Sequence, residues 1–222
     1  MKIEIWSDFS CPYCYIGLSR FKKALEIFPH ASGVEVIHRS YELNPELEPE
    51  GNPPLEIMLM HRYAIPKEQA KETLESVAAM AEGDGLPMDL ATVVSTNTRD
   101  AHRLKLWAGE QDPKTLECLM DHLYKAHFAE GKNIGQKEVL GDLAAACGLD
   151  QAAAMEFLAT DRLGDDVALE QLQGNNIGLQ GVPFFLVENR YQLSGAIPSL
   201  FILQFLAESW EAIHPTSEPT PD

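Results

Sequence analysis

Two cysteines, Cys11 and Cys14 in "SDFSCPYCYIG" (Ser7 to Gly17), are the residues of this chain best placed to do chemistry. A C-x-x-C pair can ligate a metal, close a staple or exchange electrons. On a helix such residues share a face with Cβ atoms about 5–6 Å apart, whereas a disulfide needs about 3.5–4.5 Å. Cys11 falls at the start of the expected helix, where the backbone can adjust, so the pair can close a small ring that opens easily. There its sulfur meets unpaired N–H groups and the positive end of the helix dipole. Cysteines so placed fall to a pKa of about 3.5–7.5 from about 8.5. Cys14, one turn deeper, feels less of that field. The asymmetry assigns roles: Cys11 attacks a substrate disulfide, and Cys14 then attacks Cys11 and releases the product.

A zinc site needs four ligands, usually a second C-x-x-C or an H-x(3–5)-H pair on one helix face. Cys118 and Cys147 lie far apart in the chain, and the spacing of His122 and His127 does not put them on one helix face. No metal is expected. Cys118 and Cys147 fall on apolar helical faces and read as small buried hydrophobes.

The elements that must position Cys11 begin with "KIEIW" (Lys2 to Trp6), an alternating strand pattern. Asp8 or Ser10 can cap the helix that follows, and Pro12 suits its first turn. Ile16, Phe21, Leu25 and Phe28 recur at roughly helical spacing until Pro29 and Gly33. "VEVIHRSYEL" (Val34 to Leu43) is a second strand, and a strand–helix–strand crossover makes the two strands parallel. From Leu55 to about Gln180 the patterns are helical throughout, with the last helix frayed at Gly174. "VPFFLVE" and "YQLSG" then form two strands joined by a two-residue loop, Asn189 and Arg190, before a closing amphipathic helix. The expected fold is α/β: residues 1–45 and 178–213 form one β-α-β…β-β-α unit, 54–177 a large all-helical insertion, and 214–222 a polar, Pro-rich disordered tail.

The 17 basic against 34 acidic residues give a net charge of −17, which repels phosphate backbones and anionic lipid. Nucleic acid and membrane are therefore not expected partners. No signal-peptide pattern opens the chain, because Glu4, Ser7 and Asp8 interrupt any apolar run. A cytoplasmic protein is expected, in a compartment where structural disulfides are rare.

"QGVPFF" (Gln180 to Phe185) opens the third strand, with Pro183 among its first residues. On sequence alone its bond reads as trans, since cis accounts for only about 5–6% of X–Pro bonds. Taken together, the C-x-x-C after a first strand, the element order and this V-P resemble the thioredoxin fold, and the helical insertion resembles its DsbA class. More narrowly, "IWSDFSCPYCYIG", "NTRDAHRL", "HFAEGKNI" and "GVPFFLVENRYQLSGA" resemble the FrnE-like branch of dithiol-disulfide isomerases. That branch is close to the 2-hydroxychromene-2-carboxylate isomerases and the kappa-class glutathione transferases. The resemblance runs from about residue 2 to 210.

It implies a cis Val182–Pro183 bond facing Cys11, with the Val182 backbone left to pair with an extended substrate peptide. It also implies substrate contact by Pro12 and Tyr13, the latter where the branch has a bulky aromatic. Ile197 of "SGAIP" stands where typical members carry glutamine. His102 and Arg103 become candidates for tuning the Cys11 sulfur; the alternative is a packing histidine and a surface charge. The glutathione-using isomerases place serine where Cys11 stands, so a chain that keeps both cysteines points to redox chemistry.

The expected function is thus thiol–disulfide oxidoreductase or isomerase, with Cys11 nucleophile and Cys14 resolving. The partner is a disulfide-containing peptide or a small-molecule thiol. No cofactor is expected, with glutathione as a candidate co-substrate. The alternatives are a glutathione-dependent isomerase or transferase of the same fold, and a non-catalytic binding module.

Overall fold

The computed structural model describes residues 1–50 and 52–215. Four strands form one mixed sheet: β1 (Lys2–Ser7), β2 (Glu35–Ser40), β3 (Phe184–Val187) and β4 (Tyr191–Ser194), in spatial order β2-β1-β3-β4. β1 and β2 run parallel, and β3 is antiparallel to both β1 and β4. Helix α1 (Pro12–Glu26) makes the crossover between β1 and β2. Among the described residues, seven α-helices lie between β2 and β3: α2 (Leu55–Tyr63), α3 (Lys67–Gly83), α4 (Arg99–Gln111), α5 (Pro113–Phe128), α6 (Lys137–Ala146), α7 (Gln151–Leu158) and α8 (Gly164–Asn176). Helix α9 (Ser199–Ile213) closes the chain of described elements.

Alternation along β1 sorts its side chains onto two faces. Ile3 and Ile5 pack with Phe185 and Val187 under Phe21, Ala24 and Phe28 of α1 and Ile202 and Leu206 of α9. Ile197 joins this cluster as a packing residue. Glu4 and Trp6 point the other way, toward α8. The Trp6 indole N–H donates to the Glu170 carbonyl at 2.8 Å. Lys105 of α4 is buried, and its ammonium donates to the His38 carbonyl and the Ser40 hydroxyl at 2.9 Å each. Glu170 receives the Ser40 N–H at 2.7 Å and pairs with Arg39 and Lys105. A buried charge with only one partner would be costly, and this network gives each ion several. It fastens the helical segment to the sheet at β2.

Local chemistry moves several sequence expectations. Neither Asp8 nor Ser10 caps α1; Cys11 itself is the N-cap, with no side-chain cap bond. The second strand stops at Ser40 rather than Leu43, because the Leu43 N–H is taken by the Asp8 carboxylate at 2.7 Å. The hairpin turns on Glu188 and Asn189, both at positive φ and closed by the Arg190 N–H to the Val187 carbonyl, so Arg190 is not a central turn residue. Gly174 does not fray α8. It lies beneath the Trp6 indole, where any Cβ would come within 3.0 Å of the ring. Of the tail expected at 214–222, His214 stacks on Trp210, and residues 216–222 lie outside the described residues.

The largest departure concerns Cys118 and Cys147. They are not separate apolar fillers but are joined as a disulfide, with Cα atoms 5.7 Å apart. Helix pairing brings together two positions that the sequence keeps apart. Among the described residues, no helix is long and apolar enough to cross a membrane.

Candidate active site

Cys11 and Cys14 are free thiols, and both are buried. The loop that delivers them is tied down at each step. The Cys11 N–H donates to the Asp8 carbonyl at 3.1 Å, and the N–H groups of Cys14 and Tyr15 donate to the Cys11 carbonyl at 3.0 and 3.3 Å. Pro12 at the first helical position has no N–H to leave unpaired. Tyr13, beside the cysteines, keeps 40% of its surface exposed.

Across from Cys11 lies the turn before β3. The Val182–Pro183 bond is cis, and the Cys11 Sγ is 3.6 Å from the Val182 carbonyl oxygen. The Val182 N–H donates to nothing among the described residues. Pro183 is buried against α1, and Gly17 makes this approach possible: a Cβ at position 17 would lie 2.7 Å from the Pro183 Cγ. The structure therefore brings Cys11, Cys14, Pro12, Tyr13, Val182 and Pro183 to one place.

Behind Cys14 sits a polar cluster that sequence reasoning did not assemble. The Asp8 backbone N–H donates to the Cys14 Sγ at 3.5 Å. Its carboxylate is fully buried and accepts from the Ser10 N–H and hydroxyl, the Leu43 N–H and the Thr98 hydroxyl. His102 Nε2 approaches the same carboxylate to 3.4 Å, a contact without hydrogen-bond alignment. Burial alone would push the Asp8 carboxyl up; His102 and the Leu43 and Ser10 N–H donors outweigh it and hold it below the ordinary range. The Tyr124 hydroxyl donates to the Asp8 carbonyl at 3.2 Å, and its ring stacks on Tyr15. Phe9 packs between Tyr124 and His102.

The Cys14 thiol is pushed well above its ordinary value. Burial is the main cause, followed by the hydrogen bond to Cys11 and the Cys11 charge; the Asp8 N–H opposes them. Cys14 therefore stays a thiol at neutral pH.

The two candidate tuning residues part company. His102 reaches the Asp8 carboxylate behind Cys14. Arg103 is neither beside the cysteines nor on the surface: it is buried and donates to the carbonyls of Arg162, Phe157 and Thr160 and to the Asp100 carboxylate. It closes the end of α7. Adjacent positions on a helix point about a quarter-turn or more apart, so "HR" could not place both at one site. Asp8 was legible as a polar residue near the cysteines, but only the fold turns it inward.

This chain matches the model of the DSBA-like thioredoxin domain over residues 2–207. It is 36% identical to a probable DsbA oxidoreductase from Streptomyces coelicolor, whose crystal structure superposes with a TM-score of 0.90, covering 100% of this chain and 94% of that one. The uncharacterized protein YwbO of Bacillus subtilis is 26% identical over 83% of this chain and 86% of its own length. A 2-hydroxychromene-2-carboxylate isomerase shares the fold at a TM-score of 0.74 and 14% identity, covering 98% of this chain and 100% of that one. The Pseudomonas aeruginosa cytosolic disulfide reductase DsbM shares it at 0.60 and 20%, covering 96% of each chain. On the match across residues 2–207 and the Streptomyces relative, the chain belongs to the DSBA-like thioredoxin domain family and is an enzyme of the disulfide oxidoreductase kind.

Proposed function

We propose that this enzyme exchanges disulfides through Cys11 and Cys14, in the manner of the FrnE-like isomerases, and that it does so in the cytoplasm. The observation that carries the reading is the pairing of two free thiols at the start of α1 with the Val182–Pro183 turn, 3.6 Å from the Cys11 sulfur. A thiolate at Cys11 attacks one sulfur of a substrate disulfide, and the other sulfur leaves as a thiolate. The first N–H groups of α1 stabilise negative charge at this end of the helix. The substrate segment carrying the mixed disulfide lies extended along Val182, whose free N–H and carbonyl can pair with it as one more strand would. Cys14 then loses its proton and attacks the Cys11 sulfur. A Cys11–Cys14 disulfide forms and the second substrate thiol departs. Run backward, the same steps oxidise a dithiol.

In this reading Asp8 and His102 are positioning residues: their side chains hold the loop behind Cys14 and touch no reacting atom, and only the Asp8 backbone N–H reaches the Cys14 sulfur. Tyr13 offers its exposed ring to the substrate. The partner is a disulfide-bearing peptide or a small-molecule thiol. A structure of the related fold DsbM with GSH makes glutathione the first co-substrate to try.

The test is a pair of single variants assayed for insulin-disulfide reduction and for trapped adducts. Cys11→Ser should abolish reduction, and Cys14→Ser should accumulate mixed disulfides that a reductant releases. Turnover that survives in both variants would overturn the reading, and glutathione-dependent isomerisation in both would put the isomerase reading in its place.

A further inference from the structure

Away from Cys11, the helical segment carries a second group of soft ligands. Cys118 and His122 are four residues apart on α5 and share a face. Cys147 is the C-cap of α6, where the chain leaves the helix and turns its side chain toward α5. His122 Nδ1 lies 3.5 Å from the Cys118 sulfur and 3.5 Å from the Cys147 sulfur. The three ligand atoms fall within 4.8 Å of one another, and all three residues are half-buried, within reach of solvent. The Cys11 chemistry uses none of them.

A disulfide alone has no need of an imidazole facing both its sulfurs. A zinc ion does: with Zn–S of about 2.3 Å and Zn–N of about 2.0–2.1 Å, a tetrahedron sets its S···N edges at about 3.5 Å. Both S···N separations here already have that length. The remaining S···S edge must open to about 3.8 Å, which requires the S–S bond to be broken. Two thiolates and an imidazole are the donor set that favours zinc over harder cations.

We propose that Cys118, His122 and Cys147 form a redox-gated zinc site, shut as a disulfide and open to Zn²⁺ through the two sulfurs and Nδ1 once reduced. The steps balance. Two thiols of the glutathione class give two electrons and two protons to the Cys118–Cys147 bond and leave joined as a disulfide. The two cysteine thiols then release their protons to solvent as they bind the ion. His122 Nδ1 is 2.9 Å from the Cys118 carbonyl, its partner in the disulfide form. On binding it gives up that contact, with its proton carried on Nε2. Water completes the fourth position, so the ion is exchangeable rather than locked in. In a reducing compartment the site is filled, and oxidation releases the metal.

The test uses the full chain carrying Cys11→Ser and Cys14→Ser, so that the active-site pair contributes no thiolate. Zn²⁺ is titrated against a chromophoric chelator after reduction with a phosphine, and again after oxidation with glutathione disulfide. About one zinc per reduced chain and none per oxidised chain is expected, since ligands must be free thiolates to bind. His122→Gln should weaken binding by more than the ~10- to 100-fold that loss of a supporting outer residue costs. Co²⁺ in place of Zn²⁺ should give a thiolate-to-metal charge-transfer band in the near ultraviolet, and Cys147→Ser should reduce it. Should Cys147→Ser not fold, the comparison of reduced with oxidised protein still decides. Equal uptake in both redox states, no stoichiometric uptake when reduced, or unchanged affinity in His122→Gln would each overturn the proposal. None of these results bears on Cys11.

Discussion

The backbone N–H of Asp8 donates to the sulfur of Cys14 at 3.5 Å, while the carboxylate of the same residue binds donors from the loop after β2 and from the start of α4. One residue thus joins the resolving cysteine to two distant segments. Its charge works against a thiolate at Cys14, and its N–H works for one. Burial outweighs both.

The pH dependence of the two half-reactions should therefore differ. In the mixed disulfide the Cys11 charge is gone, but the burial that raises the Cys14 pKa remains. Resolution of a trapped adduct should speed up by ~tenfold per pH unit between about pH 6 and 8, following the thiolate fraction. Stopped-flow release of a chromophoric thiol from the adduct measures it. A flat profile would mean that Cys14 is already ionised.

Asp8→Asn keeps the shape but removes the charge that faces His102 and the Leu43 and Ser10 N–H groups. At pH 7 it should cost about 1.5–3 kcal/mol in urea unfolding, the range for a hydrogen bond to a charged group. The sign with pH is fixed. The Asp8 pKa is held below its ordinary 3.8, so its contribution is present above that value and lost as pH falls through the folded pKa. Wild type and variant should converge in acid. A gap that widens below pH 4 would refute the reading of Asp8 as a carboxylate stabilised in the folded state.

Gly17→Ala separates two opposing effects. Alanine gains about 1 kcal/mol of helix propensity. Its Cβ meets the Pro183 ring at 2.7 Å, and overpacking of that kind costs about 1–3 kcal/mol. The ring cannot swing away as a flexible chain end would, so the clash should win. A lower urea midpoint and slower insulin reduction are expected together. A variant more stable than wild type, with full activity, would show that the Val182–Pro183 turn is free to move.

Acid should weaken the fold well above the carboxylate range. His127 is 1% exposed, and burial lowers its pKa to about 4 from 6.5. Below pH 6.5 the unfolded chain binds this proton and the folded chain does not, so protonation favours unfolding. Stability should fall by about 1.4 kcal/mol per pH unit for this one group as pH drops from 6.5 toward 4. His38 behaves alike, held at about 4 by burial first and then by the Lys105 charge. His127→Leu should flatten the slope by one proton's worth in denaturant titrations at stepped pH. An unchanged slope would show that His127 is not the group responsible.

Short-range chemistry can be read along the chain without knowing the fold. Alternation in "KIEIW" and helical spacing after Cys11 gave the strand, the crossover helix and the parallel pair, because side-chain period and turn geometry are local properties. The Cys11–Cys14 spacing, with Pro12 between, marked the reactive loop for the same reason. Contacts between segments far apart in the chain come only with the folded arrangement. The Asp8 carboxylate gathers Leu43, Thr98 and His102 because β1, the loop after β2 and α4 converge there. Arg103 turns from its neighbour His102 to the end of α7, which no single-helix pattern can foretell. Cys118 and Cys147 meet because α5 and α6 pack side by side. Such pairings follow from how the apolar faces bury one another, and that is a property of the whole chain rather than of any window along it.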